Sequence, residues 1–355
     1  MNQMAARASA SYSDAQAHYT SPRRRDPVKV MMEEVVTHRV LRHALAQSDP
    51  RPGEPIRVLD VGCGTGDGLA LLTESHEGLA PVVAENELDY FGIDVDPDMI
   101  DTARSQHTDR PAVFEVADMR TGLPDGDFDV YMSCGVPYSH LPHDEVVEVL
   151  RTIMEKIVRT RDNAVIVVDV LGRYSLEWTP HWPQTRWPYN MSFFEDATET
   201  IHDQMSFFDR RSLDAALISA AANAGARLTD LTFTDRSIVV GRHTATLTFN
   251  EAIPPYRSLL NDLARGRTDV NPGDLVLRNP AGRAPAQVQG FFALLTDRWN
   301  TIVTQSTRAT SGLTSPQHAR LLAESLLVCE QELQQGLGVG HSLVATAVVG
   351  PSTVH

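Results

Sequence analysis

The stretch Val58-Leu59-Asp60-Val61-Gly62-Cys63-Gly64-Thr65-Gly66-Asp67-Gly68 holds the residue types and spacing best suited to chemistry. Arg57 to Val61 is apolar enough for a buried strand, and Asp67 onward has helical character. Between them Gly62, Gly64 and Gly66 permit a tight turn and let the main chain approach a ligand that any Cβ would hold away. Nucleotide-binding folds of several classes use such a turn. Asp60, two residues before the first glycine, adds a carboxylate where a cationic ligand could be met. His140, in Gly135-Val136-Pro137-Tyr138-Ser139-His140-Leu141-Pro142, is the second group of interest, because an imidazole can take a proton near neutral pH. The 3 cysteines include no Cys-x-x-Cys pair, so neither a disulfide framework nor a zinc site is expected.

These groups need a frame. Tyr90 to Asp94, Val113 to Val116, Phe128 to Met132 and Ala164 to Val170 read as further strands. The last is a continuous apolar, β-branched run of the kind buried parallel strands have. Helices fall between them. Leu69, Leu71 and Leu72 mark a short one, Asp96-Pro97 caps another containing Met99, Ile100 and Ala103, and Val146, Leu150, Ile153, Met154 and Ile157 recur at helical spacing. Such alternation predicts an α/β fold with a doubly wound, mostly parallel sheet. Residues 76–88 read as a loose acidic loop. Ahead of the sheet, residues 1–27 read as an irregular arm. Asp26-Pro27 then opens a helix to about Leu45, with Met32, Val35, Val36, Arg39 and Val40 on its buried side.

Beyond Asp169 the pattern changes. Residues 171–210 hold Trp178, Trp182 and Trp187 with Tyr174, Tyr189, Phe193 and Phe194, a loop-rich insertion of the kind that covers a site. Ser212 to Ala224 reads as a helix closed by Gly225, and Leu228–Thr234 and Ser237–Thr248 as strands. Two amphipathic helices follow, one around Val288, Phe292, Leu295, Trp299 and Ile302, the other around Leu322, Leu326, Cys329 and Leu333. Either Ser237–Thr248 or Ser342–Val349 supplies the last strand of the sheet. The expected division is an N-terminal arm and helix (1–50), a ligand-binding domain (51–250) and a helical addition (251–355) with a candidate final strand at 342–349.

The 355 residues can bury a sizeable core. A formal charge of -15 repels polyanions, so no nucleic-acid partner is expected. No apolar run approaches the roughly 20 residues needed to span a bilayer. Residues 1–10 lack the apolar centre of a signal peptide, and a cytoplasmic location is expected.

Taken in order, the motifs over roughly residues 55–235 resemble class I S-adenosylmethionine-dependent methyltransferases and their Rossmann-like fold. The resemblance implies that Asp60-Val61-Gly62-Cys63-Gly64-Thr65-Gly66 lies beside the methionine part of S-adenosylmethionine. It implies that Asp94 accepts from both ribose hydroxyls, with Val95 and Met99 in the same cofactor-binding set. Asp118 and Met119 would meet the adenine, and Ser133, Cys134 and Gly135 would open onto the methyl group. Tyr19 would join the cofactor site and Tyr12 the substrate site, as an N-terminal gate. Physical chemistry agrees with these roles. Two neutral hydroxyls need a paired acceptor, which one carboxylate supplies, and Asp60 and Asp67 around the turn suit a sulfonium better than a pyrophosphate.

Methyl transfer from a sulfonium asks the protein to align and desolvate two reactants. A hydroxyl or ammonium acceptor must also lose a proton, for which His140, with Tyr138 alongside, is the expected base. Arg173, Tyr174, Trp178 and Trp187 are expected to line a substrate pocket, with Arg173 or Arg186 meeting an anionic group. Metal-dependent relatives would place acids after the fourth and fifth strands, where only Asp169 fits, so no metal is expected. The expected function is methylation of oxygen or nitrogen in a small organic molecule, in the specialised metabolism of a high-GC bacterium. Carbon methylation, a nicotinamide-dependent oxidoreductase and a non-catalytic S-adenosylmethionine-binding protein are the alternatives. The two C-terminal helices are expected either to close the pocket or to pair two subunits as a homodimer.

Overall fold

Five apolar strands run parallel and carry the sheet: β1 (Ile56–Val61), β2 (Leu88–Asp94), β3 (Ala112–Val116), β4 (Val130–Met132) and β5 (Ala164–Gly172). The computed structural model of the chain describes residues 21, 25–76, 78–161, 163–191, 202–241, 250–280, 282–308 and 312–352, so Tyr12 and Tyr19 lie outside the described residues. The strand order is β3-β2-β1-β4-β5, with Val58 opposite both Tyr90 and Val130 and Tyr131 opposite Ile166. Helix α1 (Glu34–Gln47) precedes the sheet, and α2 (Asp67–Thr73), α3 (Pro97–Gln106) and α4 (His143–Thr160) cross between strands. Asp96 caps α3 by accepting from the amides of Asp98 and Met99, with Pro97 at the first helical position.

The open question of the last strand has a definite answer. A hairpin, β6 (Arg186–Asn190) and β7 (His202–Phe208), is followed by α5 (Arg210–Ala224), β8 (Ala226–Arg236) and, at the far end of the chain, β9 (Ser342–Pro351). β9 lies between β5 and β8, antiparallel to both. Its pattern suits that place. Leu343, Ala345, Ala347 and Val349 pack into the core under α4 and α5, whereas Val344 and Val348 join the core under α1, α2 and α3. Strand side chains alternate between faces, so only a strand apolar on both sides can sit mid-sheet. Ser237–Val240 forms no strand, and residues 242–249 lie outside the described residues. The amides of Ile238, Val239 and Val240 turn instead onto the buried Glu330 carboxylate.

Three features extend or correct the sequence reading. The loop-rich insertion also holds paired strands, β6 and β7, and β7 attaches to the end of β5 through Leu171 and Phe207. A helix that the sequence did not suggest, α6 (Tyr256–Ala264), precedes α7 (Ala286–Thr307) and α8 (Pro316–Leu333). Arg39 is exposed and bonds to Gln331, while Leu41, Ala44 and Leu45 supply the buried side of α1.

A third core joins the insertion to the C-terminal helices, with Trp178, Trp182 and Trp187 packed among Phe291, Phe292, Trp299 and Leu326. Buried Arg257 of α6 fixes the chain ahead of α1 by donating to both oxygens of Asp26, at 2.8 Å each, and to Glu33 at 2.6 Å. A π-type turn over Lys29–Glu33 leads into α1. No helix among the described residues is long and apolar enough to cross a membrane.

Candidate functional site

The glycine turn after β1 is pinned to the end of β2. The amides of Gly62 and Cys63 both donate to the Ile93 carbonyl, at 2.8 and 2.9 Å. Gly62 has φ 74°, and a Cβ there would sit 2.4 Å from Pro137 Cβ, so the turn lies directly against the segment leaving β4. Gly64 has φ 54° and faces open space. Its amide donates to Asp94 Oδ2 at 2.9 Å, and the Asp96 amide donates to Asp94 Oδ1 at 3.0 Å. Each carboxylate oxygen is thus fixed by one main-chain donor and keeps a lone pair for a ligand hydroxyl. Burial raises the Asp94 pKa, and these two amides oppose the rise.

Asp60 has a different place from the one its spacing suggested. It is 1% exposed, accepts from the Tyr90 hydroxyl at 2.5 Å, and does not line the cleft. A Cβ at position 68 would come 2.1 Å from its Oδ2, which explains the glycine there. Desolvation pushes its carboxyl up to about 7. Asp67 is the acid of this turn that does line the cleft, with Cys63, Thr65 and Met99.

The remaining cofactor candidates divide. Cys134 and Gly135 line the cleft beside Gly62 and Gly64; Val95 and Ser133 do not. Ser133 stitches β4 to β5 instead, accepting from the Asp169 amide at 3.0 Å and donating to the Val167 carbonyl. Asp118 follows β3 and is held by Arg120 through bonds of 2.6 to 3.1 Å, which keep its carboxyl below the ordinary range. The Met119 methyl comes within 3.8 Å of where a Gly62 Cβ would be.

Neither proposed catalytic side chain lines the cleft. Tyr138 is 2% exposed within the core under α4, and burial pushes its phenol up. His140 Nδ1 lies 2.8 Å from Asp203 Oδ2 on the β7 strand. The aromatic candidates are also elsewhere. Trp187 stacks on Phe207 at 4.4 Å, Trp178 is fully buried and donates to the Gly172 carbonyl, and Tyr174 packs edge-on against Trp182. Arg173 lies over Tyr174 and bonds to the Trp182 carbonyl, while Arg186 bonds to Ser206. Trp178, Trp187 and Tyr174 belong to the third core, and none of these five side chains is among the described residues that line the cleft.

The rest of the cleft comes from residues the sequence did not single out. Lys29, Glu33, Glu34 and Thr37 approach from the π-type turn and α1, and Arg236, Ser237, His341 and Ser342 from the ends of β8 and β9. Arg236 is held by Ser342 (3.0 Å), Thr37 (2.7 Å) and Asp169 (2.7 Å), and its pKa is raised because Asp169 and Glu33 outweigh the cost of burial. Antiparallel pairing brings the start of β9 to the carboxyl edge of β5, with Leu171 opposite Ser342. That edge is where open α/β sheets bind ligands. Only the knowledge that 342–349 is the last strand would have drawn attention to His341 and Ser342. Among the described residues no group of three or more His, Cys, Asp or Glu could hold a metal ion.

Comparison with known proteins gives one family match, a methyltransferase domain over residues 58–158. The matched segment spans β1 to α4 and contains the glycine turn, Asp94, Asp118 and Cys134. Among solved structures, a chain from the complex of the Haloferax volcanii Trm112 methyltransferase activator with its methyltransferase is 15% identical, covering 98% of this chain and 99% of that one, with a TM-score of 0.42. An S-adenosylmethionine-bound amino pentose methyltransferase of Micromonospora echinaspora is 16% identical over 63% of this chain and 90% of its own (TM-score 0.39). An S-adenosylmethionine-dependent methyltransferase of Clostridium acetobutylicum is 12% identical over 63% and 88% (TM-score 0.39). Likeness at this level assigns neither substrate nor partner to this chain.

Proposed function

We propose that residues 58–158, which match a methyltransferase domain, bind S-adenosylmethionine and that the enzyme methylates oxygen or nitrogen of a small organic acceptor. The observation that supports it is the polarity of the cleft beyond the glycine turn. Thr37, Ser237 and Ser342 bring hydroxyls to that wall and His341 an imidazole. Such groups orient a hydroxyl or amine. Aromatic faces, which would steady a carbon-centred cation, are occupied in the third core.

In this reading Gly62, Cys63, Gly64, Gly66, Asp94 and Met99 hold the cofactor, with Asp118 and Met119 at its adenine and Cys134 and Gly135 near the sulfonium. An acceptor lone pair attacks the methyl carbon as the carbon–sulfur bond breaks, and the wall's task is alignment and exclusion of water. Glu33, Glu34, Asp67 and Asp94 outnumber Lys29 and Arg236 in the lining, which suits a sulfonium and disfavours an anionic acceptor. Leu294, Leu321 and Val328, 41 to 53% exposed on α7 and α8, would serve the pairing of two subunits, since neither helix lines the cleft.

The test is transfer of label from methyl-tritiated S-adenosylmethionine to a panel of phenols, sugars, amines and β-dicarbonyl compounds, with the methyl located by fragmentation mass spectrometry. Label on oxygen or nitrogen is expected. Label on carbon alone would overturn the reading.

A further inference from the structure

We propose that His341 is the general base of the methyl transfer and that Glu177 is its positioning residue. This rests on the oxygen-or-nitrogen reading above. His341 lines the cleft immediately before β9, with its side chain 8% exposed. Its Nδ1 lies 2.7 Å from Glu177 Oε2, and Glu177 is fully buried. Its Nε2 is buried and has no hydrogen-bond partner among the described residues. Here one nitrogen is committed to a carboxylate, and the other is buried without a partner, in a residue that lines the cleft.

The surroundings fix the ring. Trp178 and Tyr189 flank it edge-on at 5.3 and 6.3 Å, the His341 amide donates to the Ser237 carbonyl at 2.7 Å, and its carbonyl accepts from Gly172 at 3.0 Å. A Cβ at Gly241 would come 2.3 Å from Glu177 Oε1, so the glycine makes room for the carboxylate. Nδ1–H donated to Glu177 leaves the Nε2 lone pair as acceptor. The other charged groups lining the cleft are Lys29, Glu33, Glu34, Asp67, Asp94 and Arg236.

The step balances. The acceptor O–H or N–H gives its proton to Nε2, its freed lone pair bonds to the methyl carbon, and the carbon–sulfur pair returns to sulfur to give neutral S-adenosylhomocysteine. The imidazolium is stabilised by Glu177 and releases its proton to water. His140 is the contrasting case, since it pairs with Asp203 and does not line the cleft.

Two measurements test this. In 15N-histidine-labelled enzyme saturated with S-adenosylhomocysteine, the His341 signals, identified by their absence from His341→Asn, should report the neutral Nδ1–H tautomer. An Nε2–H tautomer would overturn the proposal, whatever the acceptor. In the tritium assay His341→Asn, whose amide can still donate to Glu177, should lower kcat about 10²- to 10⁴-fold and abolish the acid limb of the kcat/KM profile. S-adenosylhomocysteine affinity should stay within about threefold, as expected of a group acting on the proton rather than the cofactor. Glu177→Gln should lower kcat while leaving S-adenosylhomocysteine affinity within about threefold, and His140→Ala should leave the limb in place. Unchanged kcat and an unchanged limb in His341→Asn would sink the proposal. A wild type that labels only carbon, or no panel member, sinks the oxygen-or-nitrogen reading instead, and the tautomer then decides His341 separately.

Discussion

Arg236 Nη2 donates to Asp169 Oδ2 across 2.7 Å, onto the same oxygen that accepts the Gly135 amide at 3.0 Å. One buried carboxylate therefore ties the end of β8 to β5 and positions the turn after β4. Removing one partner of such a pair leaves the other charge buried and costs on the order of 3–5 kcal/mol. Asp169→Asn and Arg236→Met should each lower the unfolding free energy from denaturant titration by that measure, and the double variant by less than the sum. Strict additivity would mean that the pair is not coupled.

Asp94 is expected to carry much of the cofactor affinity. Two hydrogen bonds to a charged acceptor are each worth about 1.5–3 kcal/mol. Asp94→Ala should therefore weaken S-adenosylhomocysteine binding by about 100-fold or more in calorimetry. Asp94→Asn, which keeps one acceptor oxygen, should lose less. Equal affinity across the three proteins would remove Asp94 from the site.

The two glycines of the turn should fail differently. A Cβ at Gly62 meets Pro137 at 2.4 Å, so Gly62→Ala should lower the Tm as well as cofactor affinity. At Gly64 a Cβ meets nothing within 4 Å, and only the left-handed backbone resists it, at about 1–2 kcal/mol. Gly64→Ala should stay folded and lose cofactor, because the methyl would project into the ligand's space. Thermal scans with and without S-adenosylhomocysteine separate the two outcomes.

Asp60 should make the fold less stable as pH rises. Its carboxyl is pushed from 3.8 to about 7 by burial, so between those values the folded state holds a proton that the unfolded chain has released. Stability from this group is present below its unfolded pKa and lost as pH climbs through the window. Asp60→Asn should flatten the fall in Tm between about pH 4 and 7. Glu330, raised likewise to about 7 by burial, should keep part of the slope in that variant.

Trp178→Ala should cost about 3–5 kcal/mol of stability and leave cofactor affinity within about twofold, because the ring is fully buried in the third core. A variant with native Tm and altered acceptor preference would return Trp178 to the substrate site.

The glycine-turn side of the cleft was legible because its signals are local. A strand, three glycines and an acid at the next strand end lie within 40 residues and need no tertiary knowledge to align. The far wall was not legible, because Thr37, Arg236 and His341 become neighbours only through the placement of β9 between β5 and β8. Tryptophan density misled for a related reason. Composition marks residues that bury large surfaces, and it does not say whether a ligand or another helix covers them; here Phe292 and Trp299 do. His140 and His341 both sit beside carboxylates, so chemistry alone could not separate them. Their separation is geometric, since one borders the cleft and the other does not.

The position of β9 also sets an order of events during synthesis. Its first residue pairs with Arg236, which was made 106 residues earlier. Until the ribosome has passed residue 351, β5 and β8 each present an unpaired edge that another nascent chain can occupy. A chain stopped after Gly340 is expected in the insoluble fraction, and recovery as a folded monomer would show that the two edges close without it. Because His341 arrives with the strand that closes the sheet, the far wall of the cleft is assembled last.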